Sequence, residues 1–293
     1  MTEQFIKMKD GANLYVATFA GGFDKTILLT HGGPGASCDY FLYQAELLSK
    51  KVNVVLFDER GVRRSDAIDT ENFDFQILLD DMEEIRTALH ISKWSVLGHS
   101  FGGLLALLYA VKYQKNVETL ILECPTFHYK DSSDYTNQAI IKKLNEHGLY
   151  ELAAEITSAM ENENPYSGHI FDAIPERVVT EIYHPFPRNK KAAEMSFKNG
   201  ITDEENEKTK RHCALVMNDI YANENHLPKL KNLHIPSLLL IGEHDVVCSP
   251  HQQAVFARDV AKGKVIVLPN CGHTLHGEIP VVFVDTVLGF MLQ

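Results

Sequence analysis

Positive charge is in short supply in this 293-residue chain: 28 Lys and Arg face 39 Asp and Glu, for a formal net charge of −11. A nucleic-acid surface must neutralise phosphates, so this deficit argues against that class of partner. It disfavours an anionic membrane surface for the same reason. Cysteine is sparse: Cys38, Cys124, Cys213, Cys248 and Cys271 are odd in number, widely spaced and without a CxxC pair. Such spacing fits reduced thiols rather than a disulfide framework. Neither HExxH nor a clustered Cys/His pattern occurs, so no metal or other cofactor is expected. No apolar run approaches the roughly 18 residues of a membrane span. The opening MTEQFIKMKDG runs into a polar turn instead of a leader. Together these absences lead to the expectation of a cytoplasmic protein with no nucleic-acid or membrane partner.

What is present is an ordinary globular composition, 45% hydrophobic and 23% charged. The length allows one large core, or a core with a covering subdomain. QFIKM and LYVATF flank Asp10-Gly11 and predict a β-hairpin. Short apolar runs follow at 26–31, 53–58, 94–99, 119–123, 237–242 and 264–268. Helical spacing falls between several of them. After the N-cap residue Asp74, Leu78, Met82, Ile85 and Leu89 form one apolar stripe. Near-continuous apolar strands alternating with helices predict an α/β fold with a mostly parallel sheet, its strands buried on both faces. Residues 125–228 break the alternation. They are rich in Glu, Asn and Lys and predict helices over 144–160, 192–198 and 204–221. The expected plan is a core of 1–124 and 229–293 with a helical cap of 125–228 inserted.

Gly98-His99-Ser100-Phe101-Gly102 matches G-x-S-x-G between a predicted strand and a predicted helix. That context makes Ser100 a candidate nucleophile, presented on a sharp turn whose flanking positions have no room for side chains. His31-Gly32-Gly33-Pro34-Gly35 follows the strand at 26–31. Backbone N–H groups there can stabilise the anion of a tetrahedral intermediate, and the candidate donors are those of Gly33 and Phe101. A serine also needs an imidazole to take its proton and a carboxylate to orient that imidazole. His273, just after the last predicted strand, is the candidate base, with His276 as its nearest competitor. Asp245, after the strand at 237–242, is the candidate acid; Glu243 and Glu123 are alternatives.

Taken together, HGGPG at 31–35, FDERGVRRSD at 57–66, GHSFGG at 98–103, IGEHD at 241–245 and GHTLHGEIP at 272–280 resemble the α/β-hydrolase superfamily. More narrowly they resemble its proline iminopeptidase-related branch. The resemblance implies the α/β-hydrolase fold and the chain order Ser, Asp, His. It also implies structural roles for Asp58, Arg60 and Ser65 in the turn after the second core strand, and for Glu278 and Pro280 after the base. Arg63 stands where the branch usually has glycine, and Phe101 where the iminopeptidases have tryptophan. Their cap glutamates, which receive a free amino group, lie near tryptophans. Here Glu181, Glu194, Glu204 and Glu205 fall in no matching pattern, and the single Trp94 lies in a predicted core strand. The expected activity is cleavage of a small carboxylic ester through an acyl-enzyme on Ser100. The alternatives are an iminopeptidase-like aminopeptidase and a catalytically silent binding protein of the same fold.

Overall fold

A computed structural model describes residues 1–70, 73–162, 173–196 and 200–293. Eight strands form one sheet: β1 (Thr2–Lys7), β2 (Asn13–Phe19), β3 (Thr26–Thr30), β4 (Asn53–Phe57), β5 (Trp94–His99), β6 (Val117–Glu123), β7 (Ser237–Gly242) and β8 (Gly263–Leu268). Their spatial order is β1-β2-β4-β3-β5-β6-β7-β8. β1 and β2 form the hairpin expected around Asp10-Gly11, and β2 pairs antiparallel with β4. Every pairing from β4 to β8 is parallel. The chain moves outward to β4 after β3 and then returns to lay β5 on the other side of β3. This reversal is the switch point at which parallel sheets open a crevice beyond the carboxyl ends of their strands.

Alternate residues of the central strands feed two cores, as the period of two requires. Leu28, Val55, Val96, Leu122 and Leu239 face one side, where they meet Leu78, Met82 and Ile85 of α2 (Phe75–Ala88) and the buried α3 (Phe101–Lys112). Ile27, Leu29, Val54, Leu97 and Leu240 face the other, against α1 (Leu42–Leu48) and α10 (Pro280–Met291). Asp74 caps α2 by accepting the N–H of Gln76 at 2.8 Å. The expectation of double-sided burial fails at the edge strand β8, where Val267 is 52% exposed. Its apolar run reflects β propensity on a strand with one neighbour rather than a place in the core.

Between β6 and β7 lie α4 (Tyr129–Glu146), α5 (Tyr150–Glu161), α6 (Glu176–Tyr183), α7 (Lys190–Ser196) and α8 (Asp203–Ala222), before α9 (Pro250–Asp259) follows β7. The single helix expected over 144–160 is instead two. The chain breaks at Gly148, whose φ of +73° ends α4 in a left-handed turn that α-helix cannot continue. α6 and the first four turns of α4 were not anticipated by the sequence patterns. Of the helix expected over 192–198, the part to Ser196 is helical, and residues 197–199 lie outside the described residues. α4, α5 and α6 share their own small core, with Ile140, Leu144, Ile156, Val178 and Ile182.

Candidate active site

Strand register assembles the site from distant segments. Thr30 pairs with Gly98, which lays the glycine loop after β3 beside the turn after β5. Glu123 ends β6 opposite His99, and β7 and β8 end side by side at Gly242 and Leu268. The candidate residues therefore leave neighbouring strands at one edge of the sheet.

Ser100 sits at φ +54°, ψ −121°, a conformation that side-chain-bearing residues rarely adopt. Two bonds hold it there: its N–H donates to the Glu123 carbonyl at 2.9 Å, and its own carbonyl accepts the Gly103 N–H at 2.9 Å. The turn closes so tightly that a Cβ on Gly98 would lie 2.1 Å from the Gly102 carbonyl oxygen. One on Gly102 would lie 2.3 Å from that of His31. The glycines of the motif are thus required by close approach, as its context predicts. Strain of this kind costs on the order of 1–3 kcal/mol and persists only where surrounding contacts over-determine it.

His273 and Asp245 meet across the ends of β7 and β8, with Nδ1 2.8 Å from Oδ1. The carboxylate also accepts the N–H groups of Val247 at 3.2 Å and Cys248 at 2.9 Å, which orient it toward the ring. Since a carboxylate only accepts, Nδ1 carries the proton and Nε2 keeps a lone pair. Ser100 and His273 line the same cavity, with no hydrogen bond between them among the described residues. Catalytic hydrogen bonds of this kind often form only once substrate is bound.

The competing candidates are engaged elsewhere. Glu123 bonds His276, not His273: its Oε1 accepts from the His276 N–H at 2.9 Å and lies 2.8 Å from Nδ1, fully buried. The Glu243 carboxylate accepts the Asn270 N–H at 3.0 Å and is half exposed. Glu278 ties the base loop together by accepting from the Gly272 N–H at 2.7 Å and the Thr274 hydroxyl at 3.1 Å.

A further pair escaped the sequence patterns. His99 Nε2 lies 2.8 Å from the His273 carbonyl, which can only accept, so Nε2 carries the proton and Nδ1 faces the Tyr40 hydroxyl. Burial, followed by the neighbouring His273 and His276 rings, holds this imidazole neutral, well below the usual histidine range. The GHS tripeptide was the available signal, but nothing local linked it to Tyr40. His99, Glu123 and His276 place ligand atoms within 4.8 Å of one another, as do Cys124, Asp245 and His273. Within these clusters Asp245 Oδ1 already bonds His273 Nδ1, and Glu123 Oε1 bonds His276 Nδ1.

The turn after β4 is built from ion pairs. Asp58 accepts from Arg64 Nε at 2.6 Å and from the Cys38 N–H at 2.9 Å, and the Ser65 hydroxyl donates to the Asp58 carbonyl at 2.6 Å. Arg60 forks onto Asp81 at 2.6 and 3.0 Å. Arg63 adopts φ +41°, which explains the glycine expected there, and its guanidinium reaches Asp39 at 3.1 Å. α8 packs on this turn and on the glycine loop, since His212 Nδ1 lies 2.7 Å from the Arg60 carbonyl and Cys213 Sγ 3.3 Å from that of Pro34.

The cavity encloses about 540 Å³, within the range of small-molecule sites. Gly33 and Phe101 line it beside Ser100, and Tyr129, Ser132, Thr136 and Asn137 of α4 form part of its wall. Glu181, Glu194, Glu204 and Glu205 are not among the described residues that line it. Glu181 pairs with His147 at 3.0 Å, Glu194 with Lys190 at 3.8 Å, Glu205 closes the capping box of α8 with Thr202, and Glu204 is exposed.

The α/β hydrolase fold family model matches residues 25–280. Over 286 residues the chain is 25% identical to proline iminopeptidase PfmaB of Pestalotiopsis fici, covering 94% of each chain. It is 27% identical over 263 residues to a proline iminopeptidase of Lactobacillus delbrueckii subsp. bulgaricus, covering 84% of this chain and 83% of that one. The crystal structure of a proline iminopeptidase from Mycobacterium smegmatis superposes with a TM-score of 0.78 at 22% identity, over 100% of this chain and 98% of that one. The chain is an α/β-fold hydrolase and belongs to the α/β-hydrolase superfamily, in the branch related to the proline iminopeptidases.

Proposed function

We propose that the protein is a serine hydrolase that cleaves small carboxylic esters through an acyl-enzyme on Ser100. The observation that carries this reading is the 2.8 Å contact between His273 and Asp245 at the cavity that Ser100 lines. In this mechanism His273 Nε2 takes the Ser100 proton as Oγ attacks the acyl carbon. The oxyanion is held by the N–H groups of Gly33 and Phe101, neither of which has another partner among the described residues. His273 then protonates the departing alkoxide, activates a water, and returns the proton to Ser100 as the acid leaves. Residues 125–228 act as the cap: they supply the cavity wall from Thr126 to Ile220 and so select the substrate.

A second reading, an iminopeptidase-like aminopeptidase, is favoured by the names of the relatives. Against it, none of the described cavity-lining residues is an aspartate or glutamate able to receive a free amino group. One assay tests the nucleophile and a second separates the readings. Fluorophosphonate should label wild type and spare Ser100→Ala; labelling that survives the substitution overturns the nucleophile assignment. Aryl esters should be turned over well and prolyl arylamides poorly. Amide turnover that depends on a free amine would reverse the preference.

A further inference from the structure

Glu59, in the turn after β4, is fully buried, and neither of its carboxylate oxygens has a hydrogen-bond partner among the described residues. Two equally buried imidazoles face it from different elements. His31 Nδ1, at the head of the glycine loop, lies 3.7 Å from Oε1, and His212 Nε2, on α8, lies 3.4 Å from Oε2. Both rings have a proton already placed. The Glu59 N–H points at His31 Nε2 at 3.4 Å, so that nitrogen accepts and Nδ1 spends its proton on the Gly32 carbonyl at 3.1 Å. His212 Nδ1 donates to the Arg60 carbonyl at 2.7 Å, while its Nε2 has no hydrogen-bond partner among the described residues. Were that ring neutral and Glu59 ionised, a lone pair would face a carboxylate oxygen and an uncompensated anion would sit in the interior. Both arrangements are strongly destabilising, and one added proton removes both.

We infer that Glu59 and His212 hold one proton between them, and that this pair positions the glycine loop carrying the oxyanion donor Gly33. α8 seats directly on bare backbone at two points. A Cβ on Gly61 would lie 2.9 Å from His212 Cβ, and one on Gly35 would lie 2.5 Å from Cys213 Sγ. Cys213 Sγ is also 3.3 Å from the carbonyl of Pro34, the residue after Gly33. A shift of α8 is therefore passed straight to the loop, and the Glu59–His212 pair resists that shift from inside. Neither residue is among those lining the cavity, so both are positioning residues. Their effect on turnover rests on the ester-hydrolase reading, whereas the shared proton is measurable without turnover.

The experiment is a double-variant cycle read in aryl-ester kinetics. His212→Asn keeps a donor for the Arg60 carbonyl but removes Nε2, which strands the Glu59 carboxylate. Its kcat should fall about tenfold or more while KM changes far less, because oxyanion donors act in the transition state. Glu59→Gln removes the charge, so the double variant should recover most of the lost kcat. An equal fall in kcat with and without Glu59→Gln overturns the inference. So does coupling confined to melting temperature, which would leave the loop out of the pair's influence. The proton itself is read in nitrogen-15 spectra of histidine-labelled Ser100→Ala protein near neutral pH, with the His212 signal identified by its loss in the Glu59→Gln, His212→Asn background. Nε2 should resonate as a proton-bearing or hydrogen-bonded nitrogen, and the shift of an unbonded lone-pair nitrogen overturns the inference even if the single variants fail to fold. Ester turnover that survives Ser100→Ala would fault the nucleophile reading alone and leave this signal unchanged.

Discussion

Asp245 spends its oxygens on two backbone N–H groups and one imidazole, so its orientation is set before any substrate arrives. Asp245→Asn keeps the shape but presents an amide to His273, which favours the wrong tautomer. The expected result is a loss of about 10⁴-fold in kcat for ester hydrolysis with little change in melting temperature. Glu123→Gln should behave in the opposite way. Its carboxylate serves His276, and it is the Glu123 backbone carbonyl, untouched by the substitution, that braces Ser100. Glutamine keeps an oxygen that can accept from His276 but gives up the carboxylate's charge, a loss of about 1–3 kcal/mol, so chemical denaturation should show a modest destabilisation while kcat falls far less than in Asp245→Asn. Equal kinetic losses in the two variants would mean that Glu123 shares the orienting role.

Local backbone chemistry controls the inserted helices. Gly148 ends α4 at φ +73°, and a Cβ there would meet nothing within 4 Å. Gly148→Ala therefore tests backbone strain alone, and should cost about 1 kcal/mol in unfolding free energy. Thr202 accepts the Glu205 N–H at 3.1 Å while the Glu205 carboxylate accepts the Thr202 N–H at 2.9 Å. Thr202→Ala removes one half of this reciprocal cap, again at about 1 kcal/mol. α8 carries His212 and Cys213 onto the core turn and the glycine loop. Fraying at its start should therefore appear as faster amide exchange at the front of α8 before any change at the sheet. Thr202 and Glu205 were readable as a start signal, since the pattern lies within four residues. The break at Gly148 was harder to read, because the apolar spacing on either side continues across it.

Across the whole molecule, burial of a histidine sets an acid limit. His226 is 5% exposed, neither ring nitrogen has a hydrogen-bond partner among the described residues, and burial, with a smaller push from Lys229, lowers its pKa from 6.5 to about 4. The unfolded chain thus binds a proton that the folded chain refuses between those values. The stabilising contribution is complete above pH 6.5 and is lost as pH falls toward 4, to a limit of roughly 3 kcal/mol. His226→Gln should flatten this part of the stability curve measured by denaturant titration. An unchanged slope would place the acid sensitivity in another group.

Much of this protein was decided by its sequence alone. The alternation of apolar strands and helices, the glycines around Ser100, and the order of the serine, aspartate and histidine segments are local patterns, and they report local conformation and chain order. Tertiary structure decided which distant groups meet. Asp245 and His273 are 28 positions apart and Glu123 and His276 153 apart, and each pair exists because β5 to β8 lie side by side in register. The exposure of β8 follows from its place at the sheet edge, which no apolar count records. Tyr40 sits in a stretch without a readable motif, and only the fold brings its hydroxyl to His99, 59 positions away. Periodicity is a property of neighbours along the chain, whereas the lining of a cavity depends on how separate elements come together in space.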